Sequence, residues 1–222
     1  MTFLPALLVT TVLQSAPHPK LEAVLSALAA DETRRESVSC SLVERTVLDE
    51  LDGKGAPKGK LTREFSFVQS PKGHQRALKA ESVEGDVSRL FRQRPKDESE
   101  RPHPGPFHPS ERAHYEYRLE AEEGAKTGVV HFEPKEPHDK RAKGRATVSL
   151  ESPKLLTLDA EPSKYPVYLD ALRMRVHFEK TACGHMPVRV TAQGHGKFLL
   201  MRARFRSETE LTGHSPAGEG GR

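Results

Sequence analysis

The chain has 222 residues, enough for one sizeable domain with a real core, and no break in composition divides it in two. Hydrophobic residues make up 35% and charged residues 30%, the polar end of the range for folded proteins but inside it. Its 35 basic and 31 acidic residues give a net charge of +4, too weak and too mixed to argue for nucleic acid as a partner.

The run FLPALLVTTVLQSA ends at Ala16 and has the length of a secretory apolar segment, too short to span a bilayer as a helix. Residues 1–16 are therefore expected to be a signal peptide, although no Lys or Arg precedes the run; the alternative is a buried N-terminal helix. Export would place the product in the periplasm of a cell with two membranes. Behind Pro19, Leu21, Val24, Leu25 and Leu28 recur at helical spacing, which predicts an amphipathic helix reaching about Ala30.

From Ser37 the period changes to two. Val38, Cys40 and Leu42 open a strand to about Leu51, and the turn-rich GKGAPKGK leads to a returning strand with Phe65 and Phe67. A third strand follows from about Gln75 to Val83, and Val87, Leu90 and Phe91 then predict a short helix. The stretch RPKDESERPHPGPFHPSER carries five prolines and no apolar period, and reads as a structureless loop. Alternation resumes at Tyr115, Tyr117 and Leu119 and continues to the end of the domain, with Gly194-His-Gly196 expected to make the last hairpin turn. The Gly-rich residues 213–222 are expected to be a disordered tail, leaving 17–212 as the domain.

The last strands carry the clearest pattern. Leu172, Met174, Val176 and Phe178 interleave with Arg173, Arg175 and His177; further on, Met201, Ala203 and Phe205 interleave with Arg202, Arg204 and Arg206. Side chains in a strand alternate between faces, so this specifies one apolar face and one basic face. The basic face, Arg173, Arg175, Arg202, Arg204 and Arg206 with Arg189, is either attractive to anionic headgroups or an acidic protein, or simply solvated and paired with Glu179, Glu208 and Glu210.

The helix LEAVLSALAA, the hairpin SVSCSLVERTVLDEL to LTREFSFVQS, and the ending GRATVSLESPKLLTLDAEPSKYPVYLDALRMRVHFE…MPVRVTAQGHGKFLLMRARFRSETEL together resemble the LolA/LolB-like lipoprotein-carrier superfamily. The departures are the absence of Trp and the presence of Leu42-Val-Glu44 where that family carries Phe-x-Gln. The resemblance implies a mainly β (α+β) fold: a highly curved antiparallel half-barrel of about ten strands, with the N-terminal helix and a helical insert over the concave face. It implies a non-enzymatic monomer binding lipid or lipoprotein acyl chains, with an envelope protein partner or peripheral membrane contact as further expectations. The apolar hollow would be lined by Phe65, Phe67, Tyr115, Tyr117, Leu172, Met174, Val176, Phe178, Met201 and Phe205, and gated by Leu90 and Phe91 or by the proline-rich loop.

Other chemistry finds little footing. His103, His108 and His114 lack the ligand spacing of a zinc site, and no cofactor is expected. Cys183 and His185 stand two apart, the one pairing that invites a hydrolase reading, but no known nucleophile context surrounds them. Cys40 and Cys183 could form a disulfide, or Cys40 could be an inert buried thiol; spacing leaves both open.

Overall fold

Pro19 occupies the first position of helix α1 (Pro19–Ser37) in the computed structural model, which describes residues 19–71, 73–92, 104–198 and 201–217. The expected signal peptide, 1–16, lies outside the described residues. Helix α1 runs one and a half turns or more beyond Ala30, carried on by Asp31 to Ser37, with Glu22 in its first turn and Arg34 and Arg35 in its last, both favourable to the helix dipole. Leu21, Val24, Leu25 and Leu28 form its buried face.

Ten strands form one sheet: β1 (Cys40–Leu51), β2 (Pro57–Ser70), β3 (Gly73–Gly85), β4 (Tyr115–Glu120), β5 (Thr127–Pro134), β6 (Ala142–Ser149), β7 (Lys154–Pro162), β8 (Leu169–Thr181), β9 (Gly184–Phe198) and β10 (Met201–Pro216). Their order is β3-β2-β1-β10-β9-β8-β7-β6-β5-β4, every pairing antiparallel. The sheet is open, as in a half-barrel. A plain meander would pair β3 with β4; instead those two are the edges, and the first strand joins the last through a long β1–β10 ladder.

Directly paired residues share a face, so the register sorts the sheet into two sides. One side carries α1. There Leu21, Val24, Leu25 and Leu28 pack on Tyr115, Val130, Phe132, Ala146, Val148, Leu155 and Ala160, with Phe107 in the same cluster. The apolar cover thus lies over β4 to β7, and the last turn of α1 reaches on to Phe178 on β8 and Gln69 on β2.

Four expectations need correction. Gly194 and Gly196 are not a turn: β9 runs through them to Phe198, and β10 starts at Met201. Glycine is needed there for close approach, because a Cβ at Gly196 would lie 2.2 Å from the Tyr168 carbonyl oxygen and one at Gly194 2.8 Å from that of Ala171. Second, β10 continues to Pro216, four residues into the expected tail. Third, the later part of the proline-rich stretch is built into the fold: residues 104–111 form turns, and a short 3-10 helix, Arg112–His114, leads into β4. Its Phe107 is 1% exposed. Fourth, the helical insert is a single turn among the described residues, α2 (Arg89–Arg92).

Cys40 and Cys183 form a disulfide across a sequence separation of 143. Cys183 lies in the β8–β9 turn, and β10 stands between β9 and β1. In a flat sheet β9 and β1 would be about 10 Å apart. The two Cα atoms are 6.0 Å apart, so the β8–β9 turn folds over toward the start of β1, and Met186 and Val38 pack around the bridge.

Candidate functional site

On the helix side, two covers leave a strip between them. The first is α1 with the segment 104–114. Phe107 stacks near Tyr117 with ring centroids 5.9 Å apart and meets Phe132 edge-on at 5.5 Å, while Tyr115 stacks on Tyr117 at 5.9 Å. Burial pushes both phenols above their ordinary pKa. The segment is tied to the helix by the Gly105 N–H donating to Glu32 (3.0 Å), by His108 with Glu36 (3.3 Å) and by Arg112 with Glu22 (2.8 Å).

The second cover is the chain from Val87 to Arg92. Val87 is buried against Gly59, the Ser88 N–H donates to Glu50 (2.6 Å), Arg63 donates to the Arg92 carbonyl (3.1 Å), and Phe91 meets Phe205 edge-on at 5.6 Å. Between the covers, Leu172, Val176, Val190, Ala192 and Phe205 are half-buried and Met174 is 38% exposed. This strip on β8, β9 and β10 is the candidate ligand surface.

The expected hollow residues therefore divide. Leu172, Met174, Val176 and Phe205 flank or form the strip. Tyr115 and Tyr117 are core under α1 and Phe107. Phe178 packs against that core with the Arg35 guanidinium 5.2 Å above its ring, Phe67 meets His74 edge-on, and Phe65 is buried beneath the Arg76 guanidinium, 3.6 Å from its centroid. Of the gate pair, Phe91 does meet the strip at Phe205, and Leu90 belongs to the same turn. Met201 begins β10.

Sequence reasoning missed the polar border of this strip. Glu44, Thr46, Leu48 and Glu50 share the parity of Leu42 along β1, and that parity was the available signal. Thr46 bonds Thr209 (2.9 Å), Arg76 pairs with Glu44, Arg63 with Glu81 (2.7 Å), and Glu50, only 2% exposed, with Lys58 (3.0 Å). The Glu50 bond holds the Lys58 ammonium above its usual pKa.

The opposite face bears a groove of about 1030 Å³ running from His131 on β5 to Val47 on β1. Side chains from two rows stand in it. One row is Arg145, Asp159, Arg175, Thr191 and Glu208; the other is Lys143, Glu161, Arg173, Gln193, Arg206 and Asp49. Its cations are neutralised: Arg175 (2.5 Å) and Arg145 (3.2 Å) on Asp159, Lys143 (3.5 Å) and Arg173 (3.9 Å) on Glu161, and Arg206 on Asp49 (2.7 Å). Arg189 reaches Glu208 (3.3 Å). The Arg175 guanidinium holds the Asp159 carboxyl below the usual range. The expected basic face thus splits, with Arg173, Arg175 and Arg206 paired inside the groove and Arg202 and Arg204 exposed beyond it.

The hydrolase reading falls with the disulfide, since the Cys183 sulfur is bonded to Cys40 and is no free nucleophile; His185 instead bonds the Leu155 carbonyl. Among the described residues, no group of three or more His, Cys, Asp or Glu side chains is placed to hold a metal, and no helix is long and apolar enough to cross a membrane.

No protein-family model matches the chain, and no curated protein does. It is similar in fold to solved structures. One is a LolA superfamily protein from Nitrosomonas europaea, with TM-score 0.49 and 10% identity over 90% of this chain and 94% of that one. Another is a DUF1329 family protein from Desulfovibrio piger, with TM-score 0.42 and 11% identity over 91% and 95%. The MucA/MucB complex of Pseudomonas aeruginosa matches more distantly, with TM-score 0.28 and 10% identity over 88% and 98%.

Proposed function

We propose that this chain is an exported, non-enzymatic binding protein that takes a lipid or lipoprotein acyl chain on the strip between its two covers. The observation that carries this reading is Met174. It stands 38% exposed in a row across the sheet, Ala160, Met174, Ala192, Ser207, Leu48 and Leu61, whose two ends, Ala160 and Leu61, are both buried. An acyl chain laid along the row would regain the burial that neither cover supplies, at about 0.8 kcal/mol per methylene. The Val87–Arg92 segment, which meets the strip through the Phe91–Phe205 ring contact, is the element that would move to admit it.

The test is native mass spectrometry of the protein expressed with its own N-terminus in a host with two membranes, set against its denatured mass. A lipid-sized excess in the native mass, lost in Met174→Asp while the fold persists, is the expected result. A lipid-free native mass would overturn the reading. A second reading, an envelope protein-interaction module, is favoured by the charged groove together with the filled half of the helix side; a co-purifying protein lost in Arg175→Glu, with no lipid bound, would select it.

A further inference from the structure

The end of the sheet where β8 begins and β9 ends differs from every other part of the charged face. Val167 and Tyr168, in the β7–β8 connection, are 102% and 60% exposed. They are not loose: the Lys197 N–H donates to the Tyr168 carbonyl (2.9 Å), and the Leu169 N–H to that of Pro166 (2.9 Å), which fixes the pair beside the β9 strand end. Directly across the ladder from Lys197 stands Arg202. Like charges opposite each other destabilise a sheet, and in the groove the cations Arg145, Arg175, Lys143, Arg173 and Arg206 each have a carboxylate to offset that cost. Here, neither Lys197 nor Arg202 has an ion-pair partner among the described residues. Arg204 is next on the same face, and Lys164 lies exposed in the same connection as Val167.

We propose that this end of the sheet docks on an anionic lipid bilayer, with Val167 and Tyr168 entering the headgroup region and Lys164, Lys197, Arg202 and Arg204 forming the basic collar around them. An apolar tip alone would suit many partners. Lys197 and Arg202, without a carboxylate partner among the described residues, select a surface of dense negative charge, and an aromatic with a hydroxyl suits the interface between headgroups and acyl chains. The proposal stands apart from acyl binding on the strip, and a protein that carries no lipid could still dock in this way.

The chain has no tryptophan, so Tyr168→Trp creates a single fluorescent reporter at the tip. Lipid-free protein would be mixed with vesicles of phosphatidylglycerol and phosphatidylcholine, or of phosphatidylcholine alone. The expected result is a blue shift of the reporter and co-sedimentation with the anionic vesicles only. Arg202→Gln and Lys197→Gln should each weaken sedimentation about fivefold. Val167→Asp should weaken it by roughly tenfold or more. Arg118→Gln, an exposed cation on the far edge strand, should leave binding unchanged. Unshifted emission with the anionic vesicles would overturn the proposal, as would an Arg118→Gln loss equal to that of Arg202→Gln, because the attraction would then be one of net charge. Circular dichroism of each variant identifies any that misfold.

Discussion

The part of the sheet beneath α1 and the strip along β8, β9 and β10 are woven from the same alternating strands, yet one is a packed core and the other is left uncovered. In the first, Val130, Ala146 and Val148 are fully buried under the helix and Phe107. In the second, Met174 and Val176 belong to ladders that continue directly from Ala160 and Leu158 but meet nothing overhead that buries them. Strand pattern decides which way a side chain points. What lies above it decides whether that side chain is core or surface.

The largest effect should come from removing the cover that makes the difference. Phe107→Ala deletes a ring with two aromatic neighbours at a buried site, and should cost about 3–5 kcal/mol of stability. Met174→Ala, on the open strip, should cost under about 1 kcal/mol. Urea unfolding of both variants checks the pair, and equal losses would show that the strip is covered in solution.

Next in size is the bridge that ties the β8–β9 turn to the start of β1. Cys40→Ser with Cys183→Ser should lose about 2–4 kcal/mol, because the unfolded chain regains the freedom of a long closed loop. Unfolding of the wild-type protein with and without reductant gives the same comparison without mutation. If reduction left the midpoint unmoved, the turn would be held by Met186 and Val38 alone.

Much of this contrast could be read from residue order. Alternation from Leu172 to Phe178 placed strand and face correctly, since a sheet buried on one side imposes period two locally. Gly194-His-Gly196 misled, because glycine serves a tight turn and a close backbone approach equally well, and the atoms that crowd it here, the Tyr168 and Ala171 carbonyls, come from the start of β8 and the connection before it. Phe107 was hidden among prolines. Its partners Tyr117 and Phe132 reach it only through the sheet, so no local period could reveal it. The cysteine pairing was undecidable for the same reason, since it depends on how far the β8–β9 turn folds over. The carboxylates that neutralise the groove, Asp159 and Glu161 on β7 and Asp49 on β1, depend on a register with the arginines that is likewise a property of the whole sheet.

The smallest effect concerns the latch that holds the first cover in place. Glu32 accepts the Gly105 N–H, and its burial raises the carboxyl pKa above the ordinary 4.5, against the pull of Arg35, His108 and that same hydrogen bond, with Glu36 adding to the rise. An acid whose folded pKa is raised binds its proton more tightly folded than unfolded. Keeping Glu32 ionised therefore costs stability; the cost is absent below about pH 4.5, grows as pH rises from there to the folded pKa, and is complete above it. Glu32→Gln keeps an oxygen to accept from Gly105 but carries no charge. It should melt higher than wild type at pH 7, with the gap closing toward pH 4, and because both proteins share every other titrating group, the difference between their melting curves isolates this one. A gap that widens as pH falls would mean the carboxylate stabilises the latch instead, and the segment bearing Phe107 would then be held on α1 by charge as much as by its buried ring.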